Sequence, residues 1–313
     1  MLSRTASLAL LVILSTFAPA HVRAQTPASS KLTPHQIIRR AVDLQIASNT
    51  QMPALRFTFT KTTPRGVFVK DVIQTSGGEV SRLISINGKP LSPARNAEEQ
   101  QRLTALLSSP EDQTRHRQHQ ITDQNRVNHL IQQFPNALTF TPTGTEPGPY
   151  GPMLGFSFVP NPHYLPPDIE ATILTAITGT VWVDQSTGHF IKFNAHLIHS
   201  VHVGWGIVAT FQKGGSVTLA NQNIGHNEWP ITHMKLDVDG SALIFKPIHI
   251  HITQDQSDFH FLPPGTTWQH AVAMLTSGRF SPQQQAVTTT ATKSSHRCEL
   301  PPPISPRGMR VLR

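Results

Sequence analysis

The chain carries one cysteine in 313 residues, Cys298. An internal disulfide is therefore excluded, even in a compartment that would permit one. Cys298 sits in a polar stretch with no ordered base in view, which argues against a catalytic thiol. A free surface thiol and an intermolecular bridge both remain open. There is no Gly-x-Ser-x-Gly elbow and no Walker-type phosphate loop. The 17 histidines come without a His-Glu-x-x-His helix and without a Cys pair. Beyond the first residues no apolar run approaches the roughly 20 residues that span a bilayer, so the mature chain is expected to be soluble.

Charge is scarce where it would matter for nucleic acid. The formal net charge is +8. Arg4 and Arg23 account for +2 of it, and the six basic residues against Glu299 from Gly278 onward account for +5. Residues 25–277 are left with +1. A nucleic-acid partner needs a basic face on the domain, and none is expected here. The basic tail could touch anionic lipid or cell-wall polymer, a peripheral membrane contact at most.

What is present begins with an export signal. Arg4 gives a positive start, Leu8 to Leu14 is an unbroken apolar run, and Val22-Arg23-Ala24 offers small residues around a cleavage point. Cleavage near Ala24 predicts a periplasmic or secreted protein. No Cys follows the apolar run, so the chain is not itself a lipoprotein of the bacterial type.

Residues 25–277 read as one domain. Thr33-Pro34 opens a helix to about Ser48. Leu55, Phe57 and Phe59 alternate with polar residues as a half-buried strand, followed by strands at Val67 to Ile73 and Val80 to Ile86. Asn87-Gly88 closes the third with a tight turn. Ser92-Pro93 opens a charged helical stretch to Leu107. Ser109 to Asn125 reads as a solvated loop or helix face, and Val127 to Phe134 as a short amphipathic helix. Leu138 to Thr141 and Leu154 to Val159 are strands, with Pro142 to Pro152 a Gly/Pro-rich loop between them. Asn161 to Pro167 is a second Pro-rich crossing, and Asp168 to Ile177 a short helix. A meander follows from Thr180, with strands at His189 to Ile198, Ile207 to Gln212, Ser216 to Asn223, Trp229 to Asp237 and Ala242 to Ile252. Asp239-Gly240 is the expected hairpin turn of the last pair. Asp258 to Leu262 should close the sheet. From Gly278 the chain is Gln-, Thr-, Ser- and Pro-rich and is expected to be disordered. Trp182, Trp205, Trp229 and Trp268 are expected to fill a core or line an apolar cavity.

The run Glu79 to Pro90 resembles the strand and turn that precede the first lid helix of the LolA/LolB-like envelope proteins, a group that includes the related domain of the sensor RseB. Gly179-Thr180-Val181-Trp182-Val183-Asp184 with Thr187-Gly188, and then Trp229-Pro230, resemble that family's later strand pairs. The phrases NGKPLS from Asn87, FVPNPHYLPP from Phe158 and GTVWVDQSTG from Gly179 are similar to those of uncharacterised exported bacterial members. The resemblance runs from about Thr33 to Pro263. It implies a mainly β (α+β) fold: one curved antiparallel half-barrel of about ten or eleven strands, with an N-terminal helix and inserted lid helices. It also implies an exported binding protein, not an enzyme, with an apolar ligand such as an acyl chain or a lipoprotein in the concave face. An envelope sensor or interaction module with a protein partner is the alternative.

No catalytic, cofactor-binding or metal residue is assigned, no cofactor is expected, and the ligand-binding residues stay unassigned. The nearest approach to a metal pattern is His249 and His251, two apart on a strand and so on one face, with His196 and His202 also sharing a parity. Their ordinary role is a solvated strand face. Asp237-Val238-Asp239-Gly240 begins like a calcium loop, but the remaining ligands are missing, and it reads as a turn. A metal-dependent enzyme built on the strand histidines is the weakest of the three readings.

Overall fold

The computed structural model describes residues 32–51, 53–204, 208–242 and 246–277. The export signal, the tail from Gly278 with Cys298, and Trp205 lie outside the described residues.

Helix α1, Pro34–Thr50, starts at a capping box. The Thr33 hydroxyl accepts from the Gln36 amide, and the Gln36 side chain accepts from the Thr33 amide at 2.9 Å. Strands β1 (Leu55–Thr63), β2 (Gly66–Thr75), β3 (Gly78–Ile86) and the two-residue β4 (Lys89–Pro90) follow as hairpins. Asn87 at φ 52° and Gly88 at φ 73° form the β3–β4 turn, as the sequence predicts. Helices α2 (Pro93–Ser108) and α3 (Pro110–Ala137) come next. Then come β5 (Leu138–Gly148) and β6 (Gly151–Pro160), a 3-10 turn at Ala171–Thr175, β7 (Ile177–Asp184) and β8 (Phe190–Leu197). The chain ends its described part with β9 (Val201–Gly204), β10 (Val208–Phe211), β11 (Ser216–Asn221), β12 (Ile231–Ala242), β13 (Lys246–Phe261) and helix α4 (Trp268–Ser277).

All the strands belong to one antiparallel sheet, ordered β4-β3-β2-β1-β13-β12-β11-β8-β7-β6-β5, with β10 on β12 and β9 on β10. The sheet is strongly curved, and α3 gives the reason. Gln120 of α3 accepts from the Glu79 amide on β3 at 2.9 Å, and α3 ends at Ala137, where β5 begins. The seventeen steps from Gln120 to Ala137 cover about 26 Å at 1.5 Å each. In a flat sheet the nine steps from β3 to β5 would cover about 43 Å at roughly 4.8 Å per step. The sheet must bend, and α3 is the chord across its concave side. The expected half-barrel with inserted lid helices is the observed architecture.

Period-two alternation sorts the side chains between the faces. Concave residues of β6 to β8 (Phe156, Phe158, Val181, Val183, Ala195, Leu197) pack against Ile38, Ala41 and Val42 of α1 and Ala137 of α3. Phe134 of α3 stacks on Phe193 at 5.5 Å, and Phe193 stacks on Phe158 at 5.3 Å. Leu55, Phe57 and Val72 continue the concave core on β1 and β2, with Phe259 stacked on Phe57 at 5.7 Å. The convex side has its own cluster. Ile73 and Val80 meet Leu103 of α2 and Trp268, Ala271, Val272 and Leu275 of α4. Helix α2 thus straddles the β3 edge.

Several sequence expectations need correction. The sheet has thirteen strands rather than ten or eleven, because β4 and β9 are too short to show a period. Of the loop or helix face expected at Ser109 to Asn125, the helix face is observed, but it is not separate from the helix that follows. It is the first half of the 28-residue α3, capped by Ser109 and stitched by Arg115 to Glu111 and Asp112, and by Arg126 to Asp123. Pro142 to Pro152 is largely strand, since β5 is an edge strand where proline costs no ladder bond on its open side. Asp239-Gly240 is not the turn. Gly240 pairs with Ile248 inside β12–β13, and the pairing runs on to Ala242 with Lys246; residues 243–245 lie outside the described residues. Glycine is needed there for another reason. A Cβ would stand 2.3 Å from the Thr210 carbonyl of β10. Trp182 is on the convex face under Lys192 rather than in a core.

One end of the domain is closed by buried polar groups. Asp184, 1% exposed, accepts from the amides and hydroxyls of Ser186 and Thr187. Burial opposes its charge, but these bonds outweigh it and hold the carboxyl below its ordinary value. His189 is buried and lies flat on Trp229 at 4.7 Å. Burial pushes its imidazole pKa down, Asp184 works the other way, and Arg40 adds to the lowering. A histidine lowered in the folded state costs nothing above the ordinary value of about 6.5. Below it the unfolded chain takes up a proton that the folded chain resists, so stability falls as pH falls until the folded pKa is passed. The thermal midpoint should drop more steeply from about pH 7 to about pH 5 in the wild type than in His189→Phe, which keeps the stack. Equal slopes would remove His189 as a source of acid sensitivity.

Candidate functional site

The concave face is packed at one side and open at the other. Under α1 and the C-terminal turns of α3 it is a closed core. From β8 across to β3 it opens into two adjoining depressions with different chemistry.

The first is apolar. Ile173, Ile177, Ala195, Leu197, Phe211, Val217, Leu236, Val238 and Ile250 enclose about 180 Å³. That is close to the size of an apolar cavity that stays dry and admits benzene, on the order of 150 Å³. It falls below the roughly 300 Å³ at which pockets for whole drug-sized ligands begin. It can take the end of a chain or one ring, not a whole lipid.

The second depression is larger, about 640 Å³, and cationic. Lys61, Arg65, Phe68, Lys70, Leu83, Glu99, Arg102 and His116 line it. The register explains why lysines face inward. Leu55, Phe57, Phe59 and Lys61 share a parity on β1, and Lys61 lies opposite Phe68 and Gln254. Lys70 lies opposite Phe59 and Leu83. Arg102 is tied to Glu99 at 2.9 Å and donates to the Ser81 carbonyl, while Glu99 accepts from the Leu83 amide. Burial opposes ionisation of Glu99, but Arg102 and the Leu83 amide outweigh it and lower its pKa. This pair satisfies the β3 edge. Among the described residues no carboxylate forms a salt bridge with Lys61, Arg65 or Lys70. His116 Nε2 sits 2.9 Å from the Glu79 carbonyl and so is held at the rim against β3.

The two depressions adjoin along one row of the sheet. Ala195 pairs with Val217, Val217 with Leu236, and Leu236 with Ile252. Thr62 pairs with Thr253, so Thr63, in the cationic lining, stands beside Ile252. Only Ile252, half-buried, separates the two linings in this row. From Leu236 to Thr63 is two strand steps, about 10 Å. Together they form an amphipathic trough. The sequence reading expected an apolar concave face but assigned no residue to it. The signal was the parity of β1, which carries on from Phe59 to Lys61.

The convex face of β12 and β13 holds a ladder of His–Asp pairs. His233 meets Asp255 at 2.7 Å, His249 meets Asp239 at 2.6 Å, and His251 meets Asp237 at 2.6 Å. The sequence placed His249 and His251 on one face correctly. It missed their aspartates by reading Asp239-Gly240 as a turn. The structure does not bring His202 to this cluster: its Nδ1 lies 2.8 Å from the Thr210 hydroxyl.

No family model matches this chain, and no curated protein matches it. Solved structures do. A putative outer membrane lipoprotein-sorting protein domain from Vibrio parahaemolyticus is 9% identical, over 75% of this chain and 99% of that one, with a TM-score of 0.28. MucB, in a complex with MucA(peri), is 8% identical, over 74% of this chain and 95% of that one, with a TM-score of 0.21. The first is described in the terms of the lipoprotein-sorting group that the sequence resembles. Scores at this level carry no functional argument, and the fold stands on the strand pairing above. No helix among the described residues is long and apolar enough to cross a membrane.

Proposed function

We propose that this chain is an exported binding protein whose trough holds an amphipathic anion. The apolar end of the ligand enters the cavity between Ala195, Leu236 and Ile250. Its anionic head lies among Lys61, Arg65, Lys70 and His116. The observation that supports this is the shared row from Ala195 through Ile252 to Thr63, which puts an apolar cavity within one short acyl chain of Lys61, Arg65 and Lys70, none of which forms a salt bridge among the described residues. Export rests on the N-terminal apolar run.

The test is direct titration with a fluorescent fatty acid, beside mass spectrometry of an organic extract of the purified protein. Saturable binding is expected. Lys61→Glu and Lys70→Glu should each weaken it about tenfold, the equivalent of about 1.4 kcal/mol. Val217→Phe, which fills the cavity from its wall, should weaken it with no change in salt dependence. Absence of both saturable binding and extracted lipid would sink the proposal.

A protein partner is the second reading, and one observation favours it. The Pro-rich crossing between β6 and β7 exposes Leu165 at 87%, and Val159, near the end of β6, is exposed at 52%. A pull-down from envelope extract that depends on Leu165 and is indifferent to Lys61 would favour that reading over the trough.

A further inference from the structure

We propose that Asp239, His249 and His251 form a site for one divalent transition ion of the zinc or copper class, with Asp237 as a positioning residue. The site is on the convex face, separate from the trough. Each of the three offers one ligand atom, and these atoms all lie within 4.8 Å of one another.

The fold places them without help from a loop. Asp239 pairs directly with His249, and Asp237 with His251, in the β12–β13 ladder. Residues two apart on a strand share a face, so all four side chains rise together. The two imidazole rings stand 6.4 Å apart and within 14° of parallel.

One ligand-atom distance already suits a tetrahedral ion. With bonds of about 2.0–2.1 Å, neighbouring ligand atoms stand about 3.3 Å apart. His251 Nε2 is 3.4 Å from Asp239 Oδ1. His249 Nδ1 is 2.6 Å from the same oxygen, a hydrogen-bond distance that must open by about 0.7 Å. Those two side chains are 65% and 48% exposed, so a small rotation meets little resistance.

The bonding at His251 is a second pointer. Its Nδ1 is 2.6 Å from Asp237 Oδ1. That contact occupies Nδ1 and leaves Nε2 turned toward Asp239 Oδ1, 3.4 Å away. The carboxylate–imidazole–metal relay is the ordinary way to fix a ligating histidine. With two nitrogens and one oxygen from the protein, a fourth position stays open to water. His196 lies on the same face but two strands away, across Ser216, and is not part of the set.

The tag-free chain, stripped with a chelator, should be titrated with Zn²⁺ and with Cu²⁺ in competition with a chromophoric chelator. One ion per chain is expected. His249→Ala and His251→Ala should each weaken binding at least about tenfold, and Asp237→Asn by about 10–100-fold. His233→Ala removes a similar His–Asp pair that lacks a third ligand, and should change nothing. Cobalt(II) should give tetrahedral visible absorption that His251→Ala abolishes. No stoichiometric uptake of either ion, or uptake that survives the His249→Ala/His251→Ala double variant, would overturn the site. If Asp237→Asn binds like the wild type while the ligand variants fail, Asp237 has no positioning role.

Discussion

A chain that stops before Trp268 will not unfold cooperatively, while one that stops at Ser277 will melt within about a degree or two of the full chain. The difference is ten residues, helix α4. Thr267 caps it, with its hydroxyl accepting from the His270 amide. Trp268, Ala271, Val272 and Leu275 then fall at i, i+3, i+4 and i+7, one buried stripe. The stripe covers Ile73 and Leu103, both at 0% exposure, and Val80 at 1%. Arg82 of β3 donates to the Leu275 carbonyl and to Asn96 of α2, so α4 also holds α2 against the sheet. Burying a large apolar side chain is worth about 1.5–3 kcal/mol. Removing α4 takes away three of that size and uncovers three partners. The loss is of the same order as the whole net stability of a domain, about 5–15 kcal/mol. The tail from Gly278 lacks apolar residues at any regular spacing and should add little. Calorimetry of both truncations decides this. A broad transition in the chain ending at Ser277 would move the domain boundary into the tail and give Cys298 and the terminal arginines a structural part.

The sequence signals differ in how local they are, and that decides what could be read from them. Alternation in β1, β2, β3 and β8 is local, so those strands were legible. So were the caps of α1 and α2 and the Asn87-Gly88 turn. Helix α3 was legible only from Val127 to Phe134, because it buries only Pro135 and Ala137 and is polar on most faces. Its order comes from i,i+3 and i,i+4 ion pairs and from the Glu79 backbone across the barrel, neither of which leaves an apolar period. Helix α4 did carry a readable stripe, hidden behind the Pro263-Pro264 stop. Asp239-Gly240 shows the opposite failure. A strong turn dipeptide was overruled by tertiary contact, because β10 approaches too closely for any side chain at 240. That single misreading hid the aspartates facing His249 and His251. The trough was hidden for a different reason. Lysines at inward positions read as exceptions to a buried face until the pairing shows that Lys61 and Lys70 lie together beyond its apolar part.

Trp229→Ala should cost about 3–5 kcal/mol, the range for deleting a fully buried large aromatic. Trp229 is 1% exposed and is the largest of the fully buried side chains. It is wedged between His189, stacked at 4.7 Å, and Tyr150, edge-on at 4.8 Å. Its carbonyl accepts from Asn221, whose amide also donates to Gln45 of α1 at 2.6 Å. The Tyr150 hydroxyl accepts in turn from the Asn223 amide at 2.9 Å. The indole therefore joins the β5–β6 turn and the β7–β8 turn, while the backbone of the same residue ties the segment before β12 to α1 through Asn221. Its loss leaves a cavity and also exposes a buried histidine and a buried amide pair to water. For a domain of this size the midpoint should fall by about 2–4 °C per kcal/mol, or roughly 6–20 °C in all. Trp229→Phe keeps the stack on His189 and should lose much less. The trough is lined by none of these residues, so Trp229→Phe should bind the fatty acid with unchanged affinity at temperatures where it is folded. A Trp229→Ala midpoint within about 3 °C of the wild type would mean that Tyr150 and His189 collapse into the space, and that this end of the domain is held by α1 instead.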